Sequence, residues 1–297
     1  MKIKINILLF FENIIIINCC CNKDNNKEKE ITKEDNKDSK KDKKDKKEEI
    51  DKKKKEELDK LIKESVNKTV VIKESDTLND FKSKNNDCIV EMKKNKTIDT
   101  ALKYIKDNPN NKVCILNFAN WISPGSNQEG SIRNATTIDN NLDCEISKKE
   151  FYNKHSAKDE KKANDDIIYS PDVIILKDDS GNDLSDFYNN NKIDIISCAA
   201  PNKTETLDDE TILKLQNKRM RRILDVADYY NVDILILGAF GCGVFQNPAD
   251  KLANEYSEIL KDKTKEYNKK FKKIVFAIPD DTNYNHFNKV FNNFTFN

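Results

Sequence analysis

From residue 112 onward the chain carries five continuous apolar runs, rich in Ile and Val: 112–118 (KVCILNF), 172–176 (DVIIL), 193–200 (IDIISCAA), 233–240 (DILILGAF) and 273–278 (KIVFAI). Runs of this kind, without polar alternation, suit strands buried on both faces of a sheet. TVVI (69–72) is a further short strand. Helical spacing fills the gaps. Ile98, Ala101, Leu102 and Ile105 repeat over 97–107, with Thr97 as the cap. Ile212, Leu215, Met220, Ile223, Leu224 and Ala227 do so over about 206–230, and Pro248 opens a third pattern over 248–267. Strand alternating with helix implies right-handed crossovers and helices covering a mostly parallel sheet.

Upstream the pattern changes. Residues 22–57 are almost entirely Lys, Asp, Glu and Asn, which cannot bury enough apolar surface to offset their ordering entropy, so they read as a charged disordered tether. Leu58, Leu61, Ile62 and Val66 share one helical face where that tether meets a domain spanning 58–297. Residues 1–21 have a charged start (Lys2, Lys4) and an apolar middle, as in a signal peptide. They are too short, and too interrupted by Glu12 and Asn13, to span a bilayer. The leader is similar to a bacterial lipoprotein signal in which Cys19 is lipidated, placing the domain at the cell envelope; the alternative is a cytoplasmic protein with a disordered leader.

The formal charge of +1 leaves no basic footprint for nucleic acid. Beyond the triplet at 19–21, Cys88, Cys114, Cys144, Cys198 and Cys242 show no CxxC spacing, which argues against a zinc site or a disulfide framework. No metal or cofactor is expected.

In such sheets ligands sit outside the carboxyl ends of the strands. NFANWISPGS, APN and GCGVFQNP each follow an apolar run and converge there. Gly238, Gly241 and Gly243 are three of only six glycines in the chain. A glycine-rich turn entering a helix presents backbone N–H groups to a phosphate. Neither GxxxxGK[ST] nor a completed GxGxxG is present, so a P-loop or dinucleotide fingerprint is not indicated.

The order NFAN, PG, YSPDV, AAPN, RILDVA, GAFGCGVFQNP and IVFAI, over about residues 112–280, resembles the microbial-type poly(ADP-ribose) glycohydrolase family. The resemblance implies a three-layer α/β/α macrodomain-like fold with a central mixed, mostly parallel sheet. It also implies an ADP-ribose pocket, with free ADP-ribose or an ADP-ribosylated protein as partner. Gly241, Cys242, Gly243, Val244 and Phe245 would form the pyrophosphate loop, Phe245 packing on the distal ribose. Asn120 would bind that ribose, and Gly125 would belong to the facing loop.

Active members follow a PGGG with Gln-Glu-Glu, and the second glutamate protonates the leaving oxygen. Here the loop reads PGSNQEGSIRNATTIDNN; PGGG is reduced to Pro124-Gly125-Ser126-Asn127, and Asn134, Ala135, Thr136 and Thr137 stand where the motif is expected. Glu129 comes too early unless the loop is rebuilt, while Asp139 and Glu145 come late. This predicts an ADP-ribose binder that is weak or inactive as a hydrolase. The alternatives are an active glycohydrolase with Glu129 as substitute carboxylate, and a degenerate envelope scaffold. Cys242 lacks a histidine base, since His155 and His286 have no local support as its partner, and so reads as part of the binding loop. Trp121 and Asn202 read as packing and turn residues at the pocket edge.

Overall fold

The computed structural model describes residues 35–78, 84, 86–120, 124, 125, 127–152, 165–184, 188–203 and 207–296. Cys19, Trp121, Ser126 and His155 lie outside the described residues. The first elements are α1 (Asp35–Lys68), β1 (Val70–Ile72), β2 (Ile89–Lys93), α2 (Thr97–Asp107) and β3 (Val113–Ala119). Next come α3 (Asn127–Ala135), α4 (Ile138–Leu142), α5 (Glu145–Glu150), β4 (Ile167–Ile174), β5 (Lys192–Ala199) and α6 (Asp209–Tyr229). The chain closes with β6 (Ile234–Leu237), α7 (Ala249–Leu260), α8 (Tyr267–Lys270), β7 (Lys273–Ala277) and α9 (Asp281–Phe291). It divides into two units, Met1–Ile50 and Asp51–Asn297.

The described part of the first unit is helical from Asp35, where the sequence suggests a solvated tether. A composition nearly without apolar residues shows that little is buried; it does not exclude local order. Lys and Glu are good helix formers, and within the second unit Lys52–Glu56 and Lys60–Glu64 pair one turn apart on the same helix, each at 3.9 Å. The end of α1 is fastened by buried polar contacts. Ser65 Oγ donates to the Pro171 carbonyl (2.6 Å), and Asn141 Nδ2 donates to Ser65 Oγ (2.8 Å) and Thr69 Oγ1 (2.9 Å). No described helix is long and apolar enough to cross a membrane.

In the second unit the strands form one sheet in the order β1-β4-β5-β3-β6-β7-β2. Every pair from β5 to β2 is parallel, and β4 runs against both its neighbours. Alternate residues of each strand enter opposite cores. Cys114, Leu116, Leu235, Leu237, Ile274 and Phe276 pack under α6, α7 and α9, with Met220, Leu252 and Phe287. Val113, Ile115, Ile234, Ile236, Val275 and Ala277 pack under α2, α3 and α4, with Ile98, Ile132 and Ile138. This period of two is the geometry of a sheet covered on both faces, and it makes the expected α/β/α architecture with a mixed, mostly parallel sheet.

Three local differences from the sequence expectation have physical causes. β4 begins at Ile167 and passes through Pro171 on a bulge, where Asp172 takes a left-handed φ of 56° and its amide donates to Asp194 Oδ1 at 3.0 Å. The irregularity accommodates a proline that would interrupt a regular ladder. β2, absent from the sequence expectation, is an edge strand in a charged stretch, with Ile89 exposed. Thr97 is the first residue of α2 and not its cap, which is Lys96.

Candidate functional site

The carboxyl ends of β3, β6 and β7 open into a cleft of about 460 Å³ whose lining includes Asn120, Gly125, Gln128, Glu129, Gly243 and Phe245. Its floor is built where β3 hands over to α3. Gln128 stitches the two together: its Oε1 accepts from the Phe118 amide (2.9 Å), while Nε2 donates to the Leu116 carbonyl (2.9 Å) and Thr97 Oγ1 (3.3 Å).

Glu129, 1 % exposed, lies beneath the Pro124-Gly125 turn. Its Oε2 accepts from the amides of Gly125 (2.5 Å) and Asn120 (3.3 Å), and Oε1 accepts from Asn117 Nδ2 (3.1 Å). Burial raises its pKa above the ordinary carboxylate value, with these N–H donors and Arg133 pulling the other way. Arg133 holds the same turn from its carbonyl side. Its Nη1 donates to the Gly125 (3.2 Å) and Pro124 (3.4 Å) carbonyls, and Nε donates to Asp139 Oδ1 at 2.5 Å. A glutamate and an arginine from consecutive turns of one helix thus fix the shortened loop.

The loop is rebuilt as the sequence required for Glu129 to reach the site, because α3 starts at once, at Asn127 with φ 61°. The other candidate carboxylates do not line the cleft. Asp139 is spent on Arg133, and Glu145 opens α5. Residues 134–137, where the Gln-Glu-Glu was sought, join α3 to β4: Thr137 Oγ1 accepts from the Ile174 amide at 3.1 Å, and the Ala135 carbonyl accepts from Leu176 at 2.7 Å. Gln128 and Glu129 line the cleft, and residues 134–137 do not.

On the opposite wall the three glycines have three different causes. A Cβ on Gly238 would lie 2.9 Å from Phe118 Cζ and 3.1 Å from the Ala277 carbonyl, so this glycine lets β6 leave the sheet against its neighbours. Gly241 has φ 81°, and a Cβ there would run into the Asn247 amide, Ala200 and Gln216. Those amides are committed: Gln216 Nε2 donates to the Phe240 carbonyl (2.9 Å) and Asn247 Nδ2 to the Pro201 carbonyl (3.0 Å). Gly241→Ala is therefore expected to cost about 2–4 kcal/mol of stability, from left-handed strain plus overpacking, in a denaturant titration.

Gly243 alone among the three has nothing within 4 Å of its Cβ direction. Among the described residues no backbone carbonyl accepts from the amides of Gly243, Val244 or Phe245. Cys242 differs from its neighbours. Its amide donates to the Ala239 carbonyl (3.1 Å), its thiol packs against the core, and burial pushes that thiol up to about 12. It is neither a cleft-lining residue nor a poised nucleophile. Cys114 and Cys198 are fully buried small hydrophobes. His286 lies on α9, and Asn202 is half-buried beyond β5. Among the described residues no cluster of His, Cys, Asp and Glu is placed to hold a metal.

A two-sided α/β sheet with a glycine turn and a pinned helix start at its strand ends defines a macrodomain-like architecture. Over residues 38–178 the chain matches the family model "Microbial-type PARG, catalytic domain", and the family recognised from the sequence is borne out. The match begins within α1, upstream of the 112–280 stretch that carried the resemblance. No match is found among curated proteins. Solved structures similar to the chain are bacterial poly(ADP-ribose) glycohydrolases. That of Deinococcus radiodurans in complex with ADP-ribose is 23 % identical over 77 % of this chain and 96 % of its own, with a TM-score of 0.65. That of Thermomonospora curvata is 22 % identical over 78 % and 89 %, with a TM-score of 0.67. The latter protein bound to the inhibitor ADP-HPD gives 22 %, 77 %, 88 % and 0.66.

Proposed function

We propose that this chain binds ADP-ribose in the cleft and leaves the glycosidic bond uncut or nearly so. The observation that carries the reading is the place of Gln128 and Glu129, on the first turn of α3 and in the cleft lining; we read Gln128-Glu129-Gly130 as the family's Gln-Glu-Glu with glycine in the third place. Glu129 has both oxygens turned to N–H donors of its own protein, which makes it an anchor for the loop and a poor proton donor to a leaving group. Binding requires only what is present. The amides of Gly243, Val244 and Phe245 face a pyrophosphate, Phe245 supplies an apolar surface for the distal ribose, and Asn120 is held at the rim by Glu129.

The structural relative from Deinococcus radiodurans was solved with ADP-ribose, which names the ligand to try. Loss of a positioned general acid typically costs ~10²–10⁴ in rate. Incubation with poly(ADP-ribose) should therefore leave the polymer bound and release free ADP-ribose at a rate lower by about that factor than an active glycohydrolase. Release at a rate typical of an active enzyme would favour the second reading, Glu129 as the acid.

A further inference from the structure

Asn117 is the one strongly polar side chain in β3, whose other residues are Val113, Cys114, Ile115, Leu116, Phe118 and Ala119. It is fully buried. Its Nδ2 donates to Glu129 Oε1 (3.1 Å) and to Ser197 Oγ on β5 (3.0 Å), while among the described residues nothing donates to its Oδ1. A Leu would fill the same volume without stranding a carbonyl oxygen. The amide is accounted for by its donor end, which faces the carboxyl that holds the Gly125 and Asn120 amides.

We propose that Asn117 is a positioning residue of the site: through Glu129 it sets the Gly125 turn and the Asn120 rim in the place a ligand meets. Ser197 fixes which way the amide points, so the donor end meets Glu129 from the neighbouring strand. The inference rests on the ADP-ribose reading for its ligand, but its geometry is independent of it. The charged or titratable groups around Glu129 are Arg133 on the same helix, with Asp139 paired to it, and the Tyr152 phenol, whose own pKa is raised chiefly by burial, with Glu129 adding to the effect.

The test uses Asn117→Asp in the full chain, with Asn117→Leu beside it. The introduced carboxyl can hold Glu129 only through a shared proton; as pH rises both groups ionise, repel and release the turn. ADP-ribose is titrated at pH 6 and pH 9, and hydrogen-exchange protection of the Gly125 and Asn120 amides is read without ligand at the same pH values. Wild type should keep its affinity and its protection at both. Asn117→Asp should bind near the wild-type level at pH 6 and at least about tenfold more weakly at pH 9, losing Gly125 protection in parallel. Asn117→Leu should show weak binding and low protection at both, and decides the matter if the Asp variant does not fold at pH 6. Equal loss for Asn117→Asp at both pH values, or Gly125 protection unchanged at pH 9 in either variant, would overturn the inference. If wild type fails to bind ADP-ribose, the ligand reading falls while the exchange measurement still judges Asn117.

Discussion

Gly243→Val is expected to keep its fold and to lose at least a hundredfold in ADP-ribose affinity. The fold should survive because a Cβ at this position meets no atom within 4 Å, and the glycine is not in the left-handed region. Affinity should fall because the side chain would enter the cleft that Gly243, Val244 and Phe245 line, where their amides are proposed to hold the pyrophosphate. Hydrogen bonds to a charged group are each worth about 1.5–3 kcal/mol. Displacing a pyrophosphate from two of them costs about 3 kcal/mol or more, which is beyond a hundredfold. Calorimetric titration checks the affinity and a thermal melt checks the fold. Its neighbour two residues back should behave in the opposite way, since Gly241→Ala disturbs packing first. Unchanged affinity in folded Gly243→Val would remove this turn from the binding site.

The second large effect is a gain. On the proposed register, Gly130→Glu completes a Gln-Glu-Glu on the turn that already carries Gln128 and Glu129. A Cβ at 130 meets only the Gly125 carbonyl, at 3.9 Å, so the helix has room for the side chain on the flank nearest the loop. Release of ADP-ribose from poly(ADP-ribose) should rise by ~10²–10⁴, the usual contribution of a positioned general acid. Replacing an interior helical glycine should also raise stability by about 0.5–1 kcal/mol, so the two readouts separate a misfolded variant from an inert one. A folded variant that binds ADP-ribose and remains at background would remove Gly130 from the proposed explanation of weak hydrolysis.

Much of the fold was legible because the buried strands β3, β5, β6 and β7 are predominantly apolar runs, and α2, α6 and α7 show their helical spacing. β2 was hidden by its place at the sheet edge, where one side needs no apolar residue, and the start of β4 by Pro171. The helix upstream of Leu58 was hidden because composition reports burial and says little about local propensity. In the site, the glycine turn is visible in the sequence as a cluster of three of the six glycines. Only the contacts divide its glycines into two that serve packing and one that faces open space. Glu129 looks out of reach in the sequence, because a loop of the family's usual length would separate it from Gly125, whereas α3 starts at Asn127. Asn117 was passed over entirely, although one amide inside KVCILNF is a visible exception to its own pattern.

The central claim is that this cleft binds ADP-ribose, and the most direct test is a calorimetric titration of ADP-ribose into the wild-type chain. One site of micromolar affinity is expected. The absence of binding at millimolar ligand would contradict it, leaving the family's fold without a working pocket.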